Sequence, residues 1–118
     1  MWLATKLGLF SIVKRSTKAY PTKGKLVHIR SRSRADLQRL HSTIRRLPLK
    51  ISPSILVTQG SGYQFRILLD PKDLPEVLSA LAKSVDYSSF TEEIKFSIHQ
   101  RDKAGYYAKF SDAMDKIR

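Results

Sequence analysis

Apolar and β-branched residues dominate the start of the chain. The segment from Leu3 to Lys14 predicts one strand with a bend or bulge at Gly8, because glycine inside a strand pattern marks such irregularities. Ser16 to Gly24 contains proline and glycine and predicts a loop. The chain therefore opens with a bent strand and a connection to a second element.

Strict alternation predicts the next strand, from Leu26 to Arg32. Side chains in a strand point alternately to opposite faces of the sheet. Val27 and Ile29 fall on one face, which we expect to lie in the core. His28 and Arg30 fall on the other with Arg32, so this strand should have a cationic, solvent-facing side.

A helix should follow at Ser33, whose side chain can cap the first backbone amides. Asp36 stands three residues later, where a negative charge favours the positive end of a helix. Pro48 ends the helix, because the residue before a proline avoids helical angles. The apolar stripe, at spacings of three and four, comprises Leu37, Leu40, Ile44 and Leu47.

A hairpin and a second helix are predicted from the middle of the chain. Ile55 to Gln59 and Tyr63 to Leu69 are strand candidates joined by a short glycine-bearing turn. Asp73 should then cap a helix that has Pro75 in its first turn. The apolar face of this helix comprises Leu74, Val77, Leu78, Leu81 and Val85.

The C-terminal third is harder to assign. Ser89 suggests a helix cap, with apolar residues recurring every four positions from Phe90 to Ile98. Residues 94, 96 and 98 also alternate as a strand would, and between these alternatives we favour a helix over 92–99. A last helix is predicted from Asp102 to Ile117, with an apolar stripe of Tyr107, Phe110, Met114 and Ile117.

Together these elements predict an α+β fold for a single domain spanning residues 1–118. The order ββαββα, followed by a C-terminal helix, favours a four-stranded, mainly antiparallel sheet with helices on one face. The first strand could supply the edge that a ferredoxin-like fold takes from its last strand. We therefore expect a permuted ferredoxin-like arrangement.

Charge changes the picture, because all of the positive excess lies in the N-terminal part. Residues 1–50 hold 13 Lys and Arg and one acid, whereas residues 51–118 hold nine of each sign. A one-sided positive field attracts polyanions. The alternative is the solvated surface of a basic protein. The candidate nucleic-acid-binding residues are Lys14, Arg15, Lys23, Lys25, His28, Arg30, Arg32 and Arg34.

Composition narrows the setting. The chain has no cysteine, which excludes disulfides, thiolate metal sites and cysteine nucleophiles and fits a reducing compartment. No segment approaches the roughly 20 apolar residues that span a bilayer. The acid-free first 35 residues imitate a mitochondrial transit peptide, but the strands predicted within them argue against it. We expect a cytoplasmic protein without a membrane partner.

Several short stretches together resemble a family of small bacterial proteins of unknown function. The resemblance covers nearly the whole chain and implies a bacterial, cytoplasmic, globular protein, but it implies no activity. The stretches are Met1 to Lys6 leading into Leu9 to Val13, Val27 to Arg32 running into Asp36 and Leu37, Val85-Asp86-Tyr87 with Phe90, and Gln100-Arg101 with a tyrosine in the last helix.

Catalytic and cofactor motifs are absent from the sequence. There is no glycine-rich phosphate loop, nucleophile elbow or paired-histidine metal spacing, so we predict no metal and no cofactor. Trp2 is assigned to packing, and Asp86 to a polar contact at a helix end. An RNA-reading aromatic motif is also missing, so the basic residues predict contacts to a phosphate backbone with little base readout.

Two functional hypotheses from different classes follow. The first is a module that binds nucleic acid or another polyanion without strong sequence preference. The second is a structural or regulatory domain whose sheet face or edge strand meets a protein partner or a second copy of the chain. An enzymatic function is a third hypothesis, which no catalytic constellation supports.

Overall fold

The computed structural model describes residues 1–16 and 25–117 and has an α+β architecture. Short 3₁₀ helices at Pro71–Asp73 and Arg101–Lys103 precede the second and fourth α-helices. The strands are β1 (Trp2–Thr5), β2 (Gly8–Ser16), β3 (Lys25–Ser31), β4 (Ile55–Val57) and β5 (Phe65–Leu69). The helices are α1 (Arg34–Ile44), α2 (Leu74–Ala82), α3 (Phe90–Phe96) and α4 (Ala104–Met114).

The sheet has five antiparallel strands in the order β1-β2-β3-β5-β4. The predicted four-stranded sheet is therefore wrong, and the permuted ferredoxin-like arrangement is not matched. The extra strand arises because the segment from Leu3 to Lys14, predicted as one bent strand, is a β-hairpin. Most of the loop predicted at Ser16 to Gly24, from position 17 onward, lies outside the described residues.

The hairpin turn at residues 5–8 explains why the first strand is divided. Thr5 Oγ1 accepts hydrogen bonds from the backbone N–H groups of Leu7 and Gly8 and donates one to the Gly8 carbonyl. Gly8 itself has a φ of 150°, which residues with a side chain rarely adopt. A threonine hydroxyl and a glycine thus reverse the chain where an apolar pattern alone suggested continuity.

One face of the sheet carries the hydrophobic core, and the strand pattern predicted this face correctly. Val27 and Ile29 are buried on it, and Ile29 lies between Ile12 of β2 and Ile67 of β5 in the register. Helix α1 begins at the predicted Ser33 cap, whose side chain accepts from the Asp36 backbone N–H. Its stripe of Leu37, Leu40 and Ile44 is fully buried against this face.

Asp73 has a different role from the predicted one. It is buried, makes no side-chain capping bond to α2, and accepts hydrogen bonds from the backbone N–H groups of Lys50 and Ile51. Asp70 instead caps the preceding 3₁₀ turn. The carboxylate of Asp73 therefore fastens the loop after α1 to the start of α2.

The C-terminal third is largely helical, and the helix predicted over residues 92–99 is present as α3, although it ends at Phe96 and residues 97–99 lie outside it. Ser89 caps α3 by accepting from the Glu92 backbone N–H. Helix α4 packs mainly on α3. Of the apolar stripe predicted for the last helix, Tyr107 is buried, whereas Phe110, Met114 and Ile117 are exposed. Among the described residues, no helix is both long enough and apolar enough to cross a bilayer.

Truncating Ile29 tests the core assignment. Ile29→Ala should lower the free energy of unfolding by about 2–5 kcal/mol, because it opens a cavity in a fully buried site. Denaturant melts measure this loss. Val57→Ala is the control, since Val57 is 52% exposed, and it should change stability by less than about 1 kcal/mol. Equal losses in the two variants would contradict the assignment.

Candidate functional site

The face of the sheet opposite the core carries a group of four arginines, named here the arginine cluster. Arg15 lies on β2, Arg30 on β3 and Arg66 on β5, while Arg32 follows the end of β3. Arg30 and Arg66 are direct partners in the antiparallel register. Because partners in adjacent strands bring their side chains close together, the strand pairing itself assembles the cluster.

Tyr63 holds two members of the arginine cluster. The guanidinium carbon of Arg30 lies 4.5 Å from the centre of the Tyr63 ring, and that of Arg32 lies 5.0 Å from it. Arg30 also donates to the Ser11 hydroxyl at 2.9 Å. A guanidinium over an aromatic ring is attracted by the electrons of the ring face. Two cations therefore share one ring, and Arg30 is held in a fixed, half-buried position.

His28 was predicted to form part of a charged outer face, and this prediction is wrong. His28 is buried beside the arginine cluster. Its Nδ1 lies 3.2 Å from a guanidinium nitrogen of Arg66, which can only donate, so Nδ1 accepts. Burial lowers the pKa of His28, and the positive charges of Arg66, Arg15 and Arg30 lower it further. His28 is therefore neutral at pH 7 and serves as an acceptor that positions Arg66.

No carboxylate among the described residues forms a salt bridge with the arginine cluster. Burial lowers the pKa of the Arg66 guanidinium, and the charges of Arg30 and Arg15 add to this effect. Burial also lowers the pKa of Arg30, again assisted by Arg15. Both arginines stay protonated at neutral pH, so the cluster concentrates positive charge that the surrounding protein does not neutralise.

Hydrogen bonding around the cluster is incomplete. The Nε atoms of Arg30 and Arg66 and Nε2 of His28 are buried without a partner among the described residues. Buried polar groups are normally hydrogen-bonded, so each such nitrogen calls for a structural or functional explanation. These unpartnered nitrogens add a second physical cost to the like-charge repulsion of the cluster.

The eight residues predicted from sequence divide between different surfaces. Arg15, His28, Arg30 and Arg32 come together on the face opposite the core. Strand alternation places Lys14 and Lys25 on the same side of the sheet as the core. Both are exposed because they lie near the strand ends, where the core no longer covers the sheet. Arg34 lies in the first turn of α1, and Lys23 lies outside the described residues. Arg30 and Arg32 were predicted to share a solvent-exposed face. Arg32 is exposed, whereas Arg30 is half-buried.

A groove of about 530 Å³ adjoins the arginine cluster and is lined by Arg32 of the cluster and by Tyr63, which contacts it. We call it the aromatic groove. The sheet face contributes Trp2, Ala4, Leu9 and Ser11, and α4 contributes Tyr106, Tyr107 and Phe110. Trp2 is 71% exposed and Tyr106 is 73% exposed, so two large rings stand open to solvent in the same concavity.

Asp36 joins the parts that border the groove. Its buried carboxylate accepts from Arg39 on α1, from Lys103 before α4 and from Gln100 at 3.0 Å. Arg39 and Gln100 also donate to the backbone carbonyl of Leu7 in the hairpin turn. One carboxylate thus links the β1–β2 hairpin, α1 and the C-terminal helices. We refer to these contacts as the Asp36 network.

The segment containing Asp86 and Tyr87 also joins the β1–β2 hairpin to the C-terminal helices. Asp86 forms an ion pair with Lys6 of the hairpin turn at 2.8 Å, a contact that lowers the pKa of Asp86 and raises that of Lys6. Tyr87 contacts Phe90, and Phe90 meets Tyr107 edge to face with ring centres 5.1 Å apart. Both residues therefore attach the helical tail to the rest of the molecule.

Sequence reasoning missed Arg66, Tyr63 and the open side of Trp2. Arg66 occupies a polar position of the alternation in β5, so its outward direction was available from the pattern. The pairing of Arg66 with Arg30 could not be predicted, because the alternation within a strand does not show which strands are neighbours in the sheet. Tyr106 and Phe110 were hidden for the same reason, since their place opposite Trp2 depends on how α4 docks.

Within residues 1–16 and 25–117, no group of three or more His, Asp and Glu side chains is placed to hold a metal ion. Comparisons of the chain with protein-family models, curated proteins and solved structures return no match. The side chains that the site brings together are guanidinium groups, the Tyr63 ring and the Ser11 hydroxyl.

Adding a methyl group at Gly8 tests the Asp36 network. A Cβ there would collide with the Asp36 carboxylate, and the φ of 150° would itself be strained. Gly8→Ala should therefore destabilise the protein by more than about 2 kcal/mol in denaturant melts. Gly62→Ala, where nothing lies within 4 Å, is the control and should change stability by less than about 1 kcal/mol. A tolerated Gly8→Ala would show that the close approach is dispensable.

His28 predicts how stability depends on pH. Its pKa in the folded protein lies below the ordinary 6.5, so the unfolded chain binds the proton more readily. Stability is therefore full above about pH 6.5 and is lost as pH falls through the folded pKa, by about 1.4 kcal/mol for each pKa unit between the two states. Denaturant melts from about pH 7.5 to 5 measure this loss.

His28→Gln should flatten this pH dependence, whereas His99→Gln, at an exposed position, should leave it as in the wild-type protein. The ring protons of His28 followed by NMR give an independent measurement. A titration midpoint at or above 6.5 would contradict the assignment of His28 as a buried neutral acceptor.

Proposed function

We propose that the protein binds nucleic acid or a related polyanion through the arginine cluster, without strong sequence readout. The observation that supports this most is a set of four guanidinium groups on one sheet face without a carboxylate partner among the described residues. Like charges held together destabilise a folded protein unless a ligand neutralises them. Phosphate groups supply that charge, and guanidinium groups match their geometry with paired donors.

The expected contacts are to the phosphate backbone. Arg15 and Arg32 are exposed and available to phosphates, whereas Arg30 and Arg66 are half-buried and supply a fixed positive potential. Backbone contacts position a nucleic acid but carry no sequence information. A polyanion that binds here also stabilises the folded protein, because it binds the native state and not the unfolded chain.

A protein partner is the second candidate function, and the surface of α4 favours it. Phe110 and Met114 of α4, and Ile117 three residues beyond its end, follow each other at spacings of four and three and are all exposed. Such a stripe is the pattern by which helices meet apolar grooves on other proteins. Binding of this kind would be insensitive to salt, which distinguishes it from polyanion binding.

The dependence of nucleic-acid affinity on salt tests the proposed function. Each neutralised phosphate releases condensed counterions. If all four arginines neutralise phosphate charge, two by direct contact and two through their potential, log K against log salt should have a slope near −3. Arg15→Ala combined with Arg32→Ala should flatten this slope by about 1.5 and weaken binding to unrelated sequences alike. Fluorescence anisotropy of labelled oligonucleotides measures both quantities.

The control removes the same charge elsewhere. Arg45 and Arg46 are exposed at the C-terminal end of α1, about 16 Å along the helix from its start near the groove. Arg45→Ala combined with Arg46→Ala should leave the slope almost unchanged. Equal effects of the two double variants would mean that total charge drives binding, and absence of binding at low salt would refute the proposed function.

A further inference from the structure

We propose that the aromatic groove binds unpaired nucleobases, so that the ligand of the arginine cluster is a single-stranded nucleic acid. This inference rests on the proposed function and adds the class of substrate. The occupant of the groove is a base stacked on Trp2, with its phosphates directed toward the arginine cluster.

The dimensions and lining of the groove suit a planar ring. A volume of about 530 Å³ lies within the range of pockets that hold small organic ligands. Trp2, Tyr106 and Phe110 are all at least half exposed in it. Single-strand-binding proteins combine aromatic side chains, on which bases stack, with a positive groove that follows the backbone. Both halves of that combination are present in this protein.

The backbone that carries Trp2 is fixed, which places the indole ring as a stacking platform. The N-terminal ammonium group of Met1 donates to the Ile12 carbonyl at 3.0 Å, and the Ile12 backbone N–H donates to the Met1 carbonyl at 2.8 Å. Trp2 itself pairs with Ser11 in the register. The backbone under the indole ring is therefore fixed to β2, although the ring is open to solvent.

The aromatic groove and the arginine cluster form one continuous surface for an anionic strand. Arg32 lines the groove and also contacts Tyr63, whose ring contacts Arg30 of the cluster. Lys103 lines the groove as well, and the one carboxylate lining it, Asp36, is already paired with Lys103 and Arg39. An anionic strand therefore meets no unpaired carboxylate at the groove.

Base stacking in this groove requires a base that is free of its partner strand. In a duplex the bases are stacked on each other and paired, so their faces are not available to Trp2 or Tyr106. A single strand offers every base face without this cost. We therefore expect a preference for single strands over duplexes of equal charge density, and little discrimination among bases.

Trp2 is the only tryptophan of the chain, so its fluorescence reports on the groove directly. The full chain is titrated with an oligothymidylate of about 12 nucleotides, within the site sizes of known single-strand binders. An abasic deoxyribose phosphate oligomer of the same length carries the same charge without bases. Oligothymidylate should quench Trp2 and bind about tenfold more tightly than the abasic oligomer, which should bind without quenching.

Variants separate stacking from charge. Trp2→Ala should weaken binding of labelled oligothymidylate about tenfold, to the level of the abasic oligomer, and leave the abasic affinity unchanged. Phe110→Ala should reduce the difference between the two ligands in the same direction. Phe96→Ala is the matched control, because Phe96 is an exposed aromatic residue of α3 that does not line the groove. It should change neither affinity.

The outcomes distinguish this inference from the proposed function. Equal affinity for oligothymidylate and the abasic oligomer, with no quenching of Trp2, would overturn base stacking and leave polyanion binding intact. Duplex binding as tight as single-strand binding would overturn it too. Failure of every anionic ligand to bind at low salt would refute the proposed function and this inference with it.

Discussion

The Asp36 carboxylate is the constraint on which the arrangement of the molecule depends. It is almost fully buried, and a buried charge is tolerated only when it is paired and hydrogen-bonded. Arg39, Gln100 and Lys103 satisfy it from two distant parts of the chain, and Gly8 leaves room for it. Because Arg39 and Gln100 also hold the Leu7 carbonyl, the helical tail and the hairpin turn are set relative to each other, and the aromatic groove follows from that placement.

The central strand β3 separates two physical environments. Val27 and Ile29 fill the hydrophobic core on one side, where burial of apolar surface stabilises the fold. His28 and Arg30, which alternate with them along the strand, lie on the other side with the rest of the arginine cluster. There, unneutralised charge and unpartnered nitrogens lower the stability of the fold. The protein thus carries an electrostatically unfavourable surface on a well-packed scaffold.

Local patterns in the sequence predicted the local structure well. The alternation around Ile29, the Ser33 and Ser89 caps and the helical tail are all present, because each depends on residues a few positions apart. The turn at Gly8 was misjudged because it is held by a threonine hydroxyl and by Arg39 and Gln100, which donate to the Leu7 carbonyl from 32 and 93 positions away. The candidate site was predicted only in part for the same reason. Arg30 and Arg32 lie on one continuous segment, whereas Arg66, Tyr63 and Tyr106 reach them only through strand pairing and helix docking.

The two walls of the aromatic groove come from opposite ends of the chain, and this has a consequence for protein synthesis. A nascent chain emerges N-terminal end first, so the hairpin and α1 are synthesised when Arg39 is the one partner of Asp36 yet made. Gln100 and Lys103 are translated 64 and 67 positions later. A ribosome-stalled or prematurely terminated product would therefore display the arginines but lack the α4 wall. Under the proposed function, such a fragment would bind polyanions but would lack the preference for single strands that the groove is proposed to confer.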